Sequence, residues 1–279
     1  MADTSQTQQP YKDQVLLLGI CSDHNSSFMQ GPATAPPLIR SALHSPSSNL
    51  TSETGVSFDG HPRFRDIGDW EIGDDPDAFW KIADGTEALV HQGACPLILG
   101  GDHALTYPAV QGLARHHQPL SLLHFDAHAD LYQEMDGNPL SHACPFARIM
   151  EQGLVKRLVQ IGIRTLNTHQ REQIERFGVE VHEMRSFDAR SFQPEFNEPI
   201  YVSFDMDALD PGCAPGVSHF EPGGLTVREV ISIIHRIEAP ILGADIVEYN
   251  PRHDHHTMTA MVAAKLVKEI GAMMMLNAS

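Results

Sequence analysis

The sequence predicts an α/β sandwich around a mainly parallel sheet, and three observations carry that reading. Short apolar runs recur along the chain and are continuous rather than alternating. Helical patterns lie between them, and acidic and imidazole clusters follow several runs directly. Continuous runs suit strands covered on both faces, as parallel strands are, whereas a strand with one wet face alternates. Alternation of such strands with helices argues for a helical layer on each side of one sheet.

The candidate strands are 15–20, 96–99, 120–125, 158–163, 179–181, 199–204 and 240–247, each bounded by Gly, Pro or polar residues. Helices are expected over 77–92 and 104–116. Another starts at Thr226, where a capping box to Glu229 precedes Val230, Ile233, Ile234 and Ile237 at helical spacing. A last one covers 258–274, with the run Met273–Met275 as packing filler. Residues 44–62, rich in Ser, Thr, Gly and Pro, read as a long loop. There is no internal repeat, so residues 1–279 are taken as one domain, with 1–13 as a flexible N-terminal tail.

Composition narrows the function. At 279 residues the chain can bury a large core, since folded chains of this size hide about 75% of their unfolded surface. With 19 basic against 36 acidic residues, the net charge of −17 argues against nucleic acid as a partner. It suits a small cationic ligand, or carboxylates gathered around metal ions. No stretch approaches the roughly 20 apolar residues of a membrane span, and the polar start lacks the apolar run of a signal peptide. The expectation is a cytoplasmic protein whose scattered cysteines (Cys21, Cys95, Cys144, Cys213) stay reduced.

Three motifs carry the chemistry. HFDAHADL, residues 124–131, places Asp126, His128 and Asp130 at alternate positions after an apolar run, so that an extended chain points them to one side. SFDMDALDP, residues 203–211, offers Asp205 and Asp207 in the same way, with Asp210 before Pro211 read as a turn acid. GGDH delivers His103 after the strand at 96–99, its glycines permitting a tight turn. Acids buried at strand ends are costly unless something positive pairs with them. Open α/β sheets bind ligands at the carboxyl ends of their strands.

One site explains all three motifs. Four carboxylates and two imidazoles (His103, Asp126, His128, Asp130, Asp205, Asp207) exceed what one catalytic zinc uses. They suit two divalent ions about 3.5–4 Å apart, bridged by shared carboxylates. The oxygen-rich set favours Mn(II), with Ni, Co, Zn or Fe also compatible with the imidazoles. Cys144 is read as a small packing residue rather than a nucleophile.

GGDH, DAHADL, SFDMDALDP and VEYNP at 247–251 together resemble the motif set of the ureohydrolases, the arginases and agmatinases. HNSSFMQGPATAPPLIR (24–40), DGNPLSHACPFARIME (136–151), APGVSHFEPGGLTVREV (214–230) and MTAMVAAKLVKE (258–269) extend the likeness to the agmatinase-like branch that includes plant arginases. The resemblance covers residues 15–269. It implies an eight-stranded sheet in a three-layer α/β/α sandwich, a dinuclear manganese site and a homo-oligomer, trimer or hexamer.

By the same resemblance, His103, Asp126, Asp130 and Asp205 would hold one metal. His128 and Asp207 would hold the other, with Asp126 and Asp205 bridging. His142 matches the family's mobile acid–base histidine, and Glu248 the glutamate that holds the guanidinium.

The implied activity is hydrolysis of L-arginine or agmatine to urea and ornithine or putrescine, by a hydroxide bridging the two ions. Metal coordination brings the pKa of water from about 15.7 towards about 7. Asp130 would relay the proton of the nucleophile, and His142 would exchange protons with solvent. For the substrate's far end the candidates are Asn138, Ser141 and Asn167. Glu134 and Asp136 favour a cationic tail, while Asn138 and Ser141 can hydrogen-bond a carboxylate, so arginine and agmatine both stay open. Other guanidino substrates (guanidinobutyrate, guanidine), a single-zinc deacetylase of the same fold and a non-catalytic relative are the alternatives. The full DxHxD and DxD ligand set weighs against the last two.

Overall fold

The computed structural model describes residues 10–70, 72 and 77–277. Its centre is an eight-stranded, all-parallel sheet in the order β2-β1-β3-β8-β7-β4-β5-β6. The strands are β1 (Val15–Ile20), β2 (Phe64–Trp70), β3 (Cys95–Leu99), β4 (Ser121–Phe125), β5 (Arg157–Ile161), β6 (Glu180–His182), β7 (Ile200–Asp205) and β8 (Ile241–Val247). The helices are α1 (Ala35–Leu43), α2 (Ala78–His91), α3 (Thr106–Ala114), α4 (Pro145–Glu151), α5 (Thr168–Phe177), α6 (Val227–Ile234) and α7 (Met258–Leu276). The seven expected strands are all present.

Side chains along each strand alternate between two cores, which is why the runs are continuous. Leu123 and Phe125 of β4 belong to the core on one face, which also takes in Ile39 of α1, Val230 of α6 and Leu266 of α7. Leu122 packs with Val110 and Leu113 of α3 and Phe146 of α4 on the other. The result is the expected three-layer sandwich. Thr226 caps α6 with the predicted box: its hydroxyl accepts the Glu229 N–H at 3.2 Å, and Glu229 accepts the Thr226 N–H at 2.8 Å.

Four elements were not read from the sequence. The edge strand β2 pairs with β1 alone, and its sequence FRDIGDW leaves Arg65, Asp66 and Asp69 in solvent, so no apolar run marks it. α5 turns Gln170 and Gln173 inward where apolar residues would have shown the helical period. α1 and α4 are short and open with proline in the first turn, where the missing N–H costs nothing. At the N-terminal end, the Tyr11 and Asp13 N–H groups donate to the Gln92 and Gly93 carbonyls at 3.1 and 2.9 Å. Only residues 1–9 of the expected tail lie outside the described residues.

Candidate metal centre and substrate cavity

The four central strands β3, β8, β7 and β4 are adjacent in the sheet though distant in sequence. Each runs in the same direction, so the segments that follow them meet at one edge. Those segments begin at Gly100, Glu248, Met206 and Asp126, and with Asp205, the last residue of β7, they bring every predicted ligand to one place.

Asp126, Asp130 and Asp205 each direct one carboxylate oxygen at the same atom, His103 Nδ1, at 3.2, 3.1 and 3.2 Å. That buried nitrogen has no hydrogen-bond partner. A ring nitrogen ringed by three carboxylates in a water-poor site is the geometry a divalent cation satisfies. The second predicted group forms beside it: His128 Nδ1 lies 3.3 Å from Asp126 Oδ1 and 3.1 Å from Asp207 Oδ2. Asp126 therefore spans both groups, Oδ2 on the His103 side and Oδ1 on the His128 side. Asp205 contacts the His103 side through Oδ2, while its Oδ1 accepts the Asp207 N–H at 2.8 Å.

Electrostatics point the same way. Burial, with Asp207 and Asp126 close by, pushes the Asp205 carboxyl well above its usual range, and burial also raises Asp207. Burial opposes charge on Asp126 too, but His124, His103 and His128 hold its pKa well below the ordinary value. Like charges crowded this closely need a cationic neighbour to stay ionised together.

The glycines of GGDH serve close packing rather than a turn of unusual hand. Neither has a left-handed φ. A Cβ on Gly100 would meet Val247 Cγ1 at 2.5 Å, and one on Gly101 would meet the Ser22 carbonyl at 1.7 Å. On the far side of the ring, His103 Nε2 lies 2.9 Å from Ser203 Oγ, whose hydroxyl donates to Asp245 Oδ1 at 2.8 Å. Asp245 is fully buried and also accepts from Tyr201 and Thr106, both at 2.8 Å. Ser203 can therefore only accept from His103, which leaves the Nδ1 lone pair for the acidic cluster. Asp210 behaves as the expected turn acid, accepting the Gly212, Gly223 and Gly224 N–H groups at 2.8, 2.7 and 3.2 Å.

His142 and Glu248 also reach the site. His142 Nδ1 lies 2.8 Å from Glu248 Oε1, and its Nε2 lies 2.9 Å from Ser27 Oγ. Burial opposes charge on this imidazole, yet Glu248 outweighs it and raises the pKa to about 9. Burial likewise opposes charge on Glu248, and His142 keeps it below its ordinary value.

A cavity of about 270 Å³ opens over these groups, lined by both carboxylates of the DxD pair, Asp130, His128, His142 and Glu248. The tail candidates Asn138, Ser141 and Asn167 are not among its walls. Asn167 caps α5, accepting the Gln170 N–H at 2.9 Å and donating to Tyr132 at 2.5 Å. Asn138 closes its own turn, accepting from the Leu140 N–H at 2.9 Å and donating to Asn25 at 3.0 Å; with Ser141 it lines a neighbouring hollow. The outer wall is built instead from Tyr132, Thr165, Gln170, His219 and Glu221.

Sequence reasoning passed over these because none stands in an acid or imidazole cluster. Arg164 was missed for the same reason. It fixes the wall by donating to the backbone carbonyls of Asp207 and Glu221 at 2.8 and 2.5 Å. Cys144 is buried, and burial with the Asp130 charge pushes its thiol up to about 12, consistent with packing rather than thiolate chemistry. All four cysteines are free.

The arrangement defines a class: an α/β protein with a polycarboxylate–imidazole cluster able to hold metal ions at the carboxyl edge of a parallel sheet. Residues 13–272 match the family model described as "Arginase family". Arginase 2, chloroplastic/mitochondrial, of Arabidopsis thaliana is 46% identical over 92% of this chain and 80% of its own length. Agmatinase of Bacillus subtilis (strain 168) is 28% identical over 91% and 90%. The structure of arginase from Medicago truncatula superposes with a TM-score of 0.88 at 42% identity, covering 94% of this chain and 87% of that one. The chain belongs to the arginase family of ureohydrolases. Among the described residues, no helix is long and apolar enough to cross a membrane.

Proposed function

We propose that the protein hydrolyses L-arginine to urea and ornithine with two Mn(II) ions. One would be held by His103, Asp126, Asp130 and Asp205, the other by His128, Asp207 and the shared carboxylates. The observation that carries the metal reading is the orphan Nδ1 of His103 inside its ring of three carboxylate oxygens. Support for arginine comes from identities of 42–46% to plant arginases against 28% to an agmatinase. Divalent cations bound there would supply a strong nucleophile at neutral pH, by lowering the pKa of water towards about 7.

The chain's own groups do the rest. Glu248 offers its carboxylate to the guanidinium, and pairing with a planar cation orients the guanidino carbon toward the acidic cluster. The guanidinium displaces His142 from Glu248, freeing an imidazole held by Ser27 to exchange protons between the leaving amine and solvent. Asp130, at the cavity wall, takes up the proton of the nucleophile. At the far end, Glu221 suits an α-ammonium. Gln170, whose Oε1 accepts the Leu131 N–H at 3.2 Å, has its amide nitrogen left to meet a carboxylate.

A urea-release assay across arginine, agmatine, guanidinobutyrate and guanidine tests this reading on manganese-loaded and nickel-loaded protein. Arginine is expected to give the highest kcat/KM, and a higher value for agmatine overturns the substrate assignment. A homo-oligomer, trimer or hexamer, is part of the proposal and is read by light scattering. The cytoplasmic placement is proposed against relatives whose names give chloroplast or mitochondrion, and cell fractionation decides it.

A further inference from the structure

We infer that His124 is a positioning residue for the carboxylate shared by the two cation sites, held in one tautomer by Gln160. The inference rests on the metal reading above and goes beyond its ligand set. His124 and Gln160 are direct neighbours in register across β4 and β5, one layer beneath the acids, and both are fully buried.

The hydrogen-bond directions follow from donor accounting. The Gln160 amide nitrogen lies 2.7 Å from the Ala129 carbonyl, which can only accept, so the NH₂ group must face that way. The same nitrogen lies 2.9 Å from His124 Nδ1, and its second N–H donates there. Nδ1 is thus an acceptor, and the ring proton sits on Nε2, 2.8 Å from Asp126 Oδ2. In this orientation Gln160 Oε1 is left buried without a partner.

His124 stands near enough to His103 and Asp126 to be mistaken for a ligand. Its Nε2 carries a proton aimed at the carboxylate, and its Nδ1 is committed to Gln160, so neither nitrogen has a lone pair for a cation. What it supplies is direction. Asp126 Oδ1 is fixed by the His128 N–H at 2.6 Å, and Oδ2 is fixed by His124, which keeps one oxygen for each site. Outer partners of this kind typically contribute about 10–100-fold to metal affinity.

The test is Mn(II) titration of the metal-depleted full-length chain, with ¹⁵N NMR of the same metal-free sample. His124→Phe is expected to stay folded and to bind Mn(II) about 10–100-fold more weakly. His124→Gln, which restores an N–H at similar reach, is expected to recover most of that loss. Wild-type His124, assigned by its absence from the spectra of either variant, is expected to show a pyrrole-type Nε2 and a pyridine-type Nδ1. A folded His124→Phe with wild-type affinity overturns the inference. Equal loss of one ion in both variants does so too, since it would make His124 a ligand.

Should His124→Phe fail to fold, Gln160→Leu takes its place, with weakened affinity and a mixed His124 tautomer expected; unchanged values overturn the inference. Wild-type protein that takes up no Mn(II) overturns the metal reading itself, a failure distinguished by a tautomer result that still stands on the metal-free chain.

Discussion

One oxygen of Glu248 serves two masters: Oε1 accepts the His103 backbone N–H at 2.8 Å and lies 2.8 Å from His142 Nδ1. Through that atom the end of β8 is tied to the turn after β3 and the loop after β4. Glu248 and Asp130 both adopt left-handed φ values, 63° and 49°. Such backbone in a non-glycine residue costs on the order of 1–3 kcal/mol and persists where surroundings impose it. Both residues belong to the proposed chemistry, so the strain lies where precise aim is needed.

The His142–Glu248 pair makes the metal-free chain's stability depend on pH in a defined direction. His142 has its folded pKa raised from 6.5 to about 9, so its contribution is complete below 6.5 and fades as pH rises through about 9. Glu248 is lowered from 4.5, so its contribution is complete above 4.5 and fades as pH falls below that. The gap in Tm between wild type and His142→Ala is expected to be widest near pH 6 and to shrink steadily towards pH 9.5. Thermal melts of both metal-stripped proteins across that range decide it; a gap that widens with pH contradicts the pairing.

The role in turnover proposed for the same histidine is one that stability measurements do not touch. With Ser27 and Glu248 holding its two nitrogens, His142 is placed to exchange protons once the guanidinium occupies Glu248. Loss of a positioned acid–base group commonly costs about 10²–10⁴ in rate. His142→Ala is therefore expected to lower kcat by at least about 10²-fold while retaining both metals. Asp130→Asn is expected to lower kcat and metal content together, because Asp130 also faces His103 Nδ1 at 3.1 Å. Metal analysis alongside urea release separates the two, and unchanged turnover in either variant removes that residue from the scheme.

Gly101 links packing to catalysis. Its carbonyl accepts the Glu248 N–H at 2.9 Å, and a Cβ there would sit 1.7 Å from the Ser22 carbonyl oxygen. That contact is with backbone, so the turn itself must move. Gly101→Ala is expected to destabilise by about 1–3 kcal/mol, the usual cost of overpacking. It is also expected to lower kcat by about 10²-fold, since displacing reacting groups by about 1 Å has that effect. Melting and steady-state kinetics on the folded variant check both, and wild-type values would show that the loop absorbs the methyl freely.

The central strands and the clustering of the acids and imidazoles were legible because burial on both faces and acids grouped at strand ends leave marks in the sequence itself. The apolar runs of β4 and β7 announce buried strands, and Asp126, His128, Asp205 and Asp207 follow them directly. What was not legible owes its role to packing across the sheet. Gln160 matters because β5 places it beside His124, and Arg164 because it grips carbonyls more than forty residues away. The lining of the cavity was not legible for a related reason: Asn138 and Asn167 spend their amides on a turn and a helix cap, while Gln170 reaches the cavity from a helix with almost no apolar stripe. His124 was read correctly as part of β4, yet the role proposed for it could not be read. It stood inside a recognised motif, but its partner is visible only once the register is known.

Recognition of the substrate's far end is expected to rest on Glu221. Arg164 donates two N–H groups to the Glu221 carbonyl, so the backbone that carries this carboxylate is anchored to the wall beside Asp207. A carboxylate at a fixed distance from the acidic cluster selects for a cation at the opposite end of the guanidino compound. Glu221→Gln keeps the shape and removes the charge. It is expected to raise KM for arginine about tenfold, the equivalent of about 1.4 kcal/mol. Little change in kcat should accompany this, because the contact is present equally in ground and transition states. Agmatine carries an ammonium there as well, and its KM should rise in parallel. Guanidinobutyrate, with a carboxylate in its place, should bind the variant better than the wild type. Steady-state kinetics with the three compounds read the pattern, and a KM for arginine that stays constant while kcat falls would place Glu221 in the chemistry instead of in recognition.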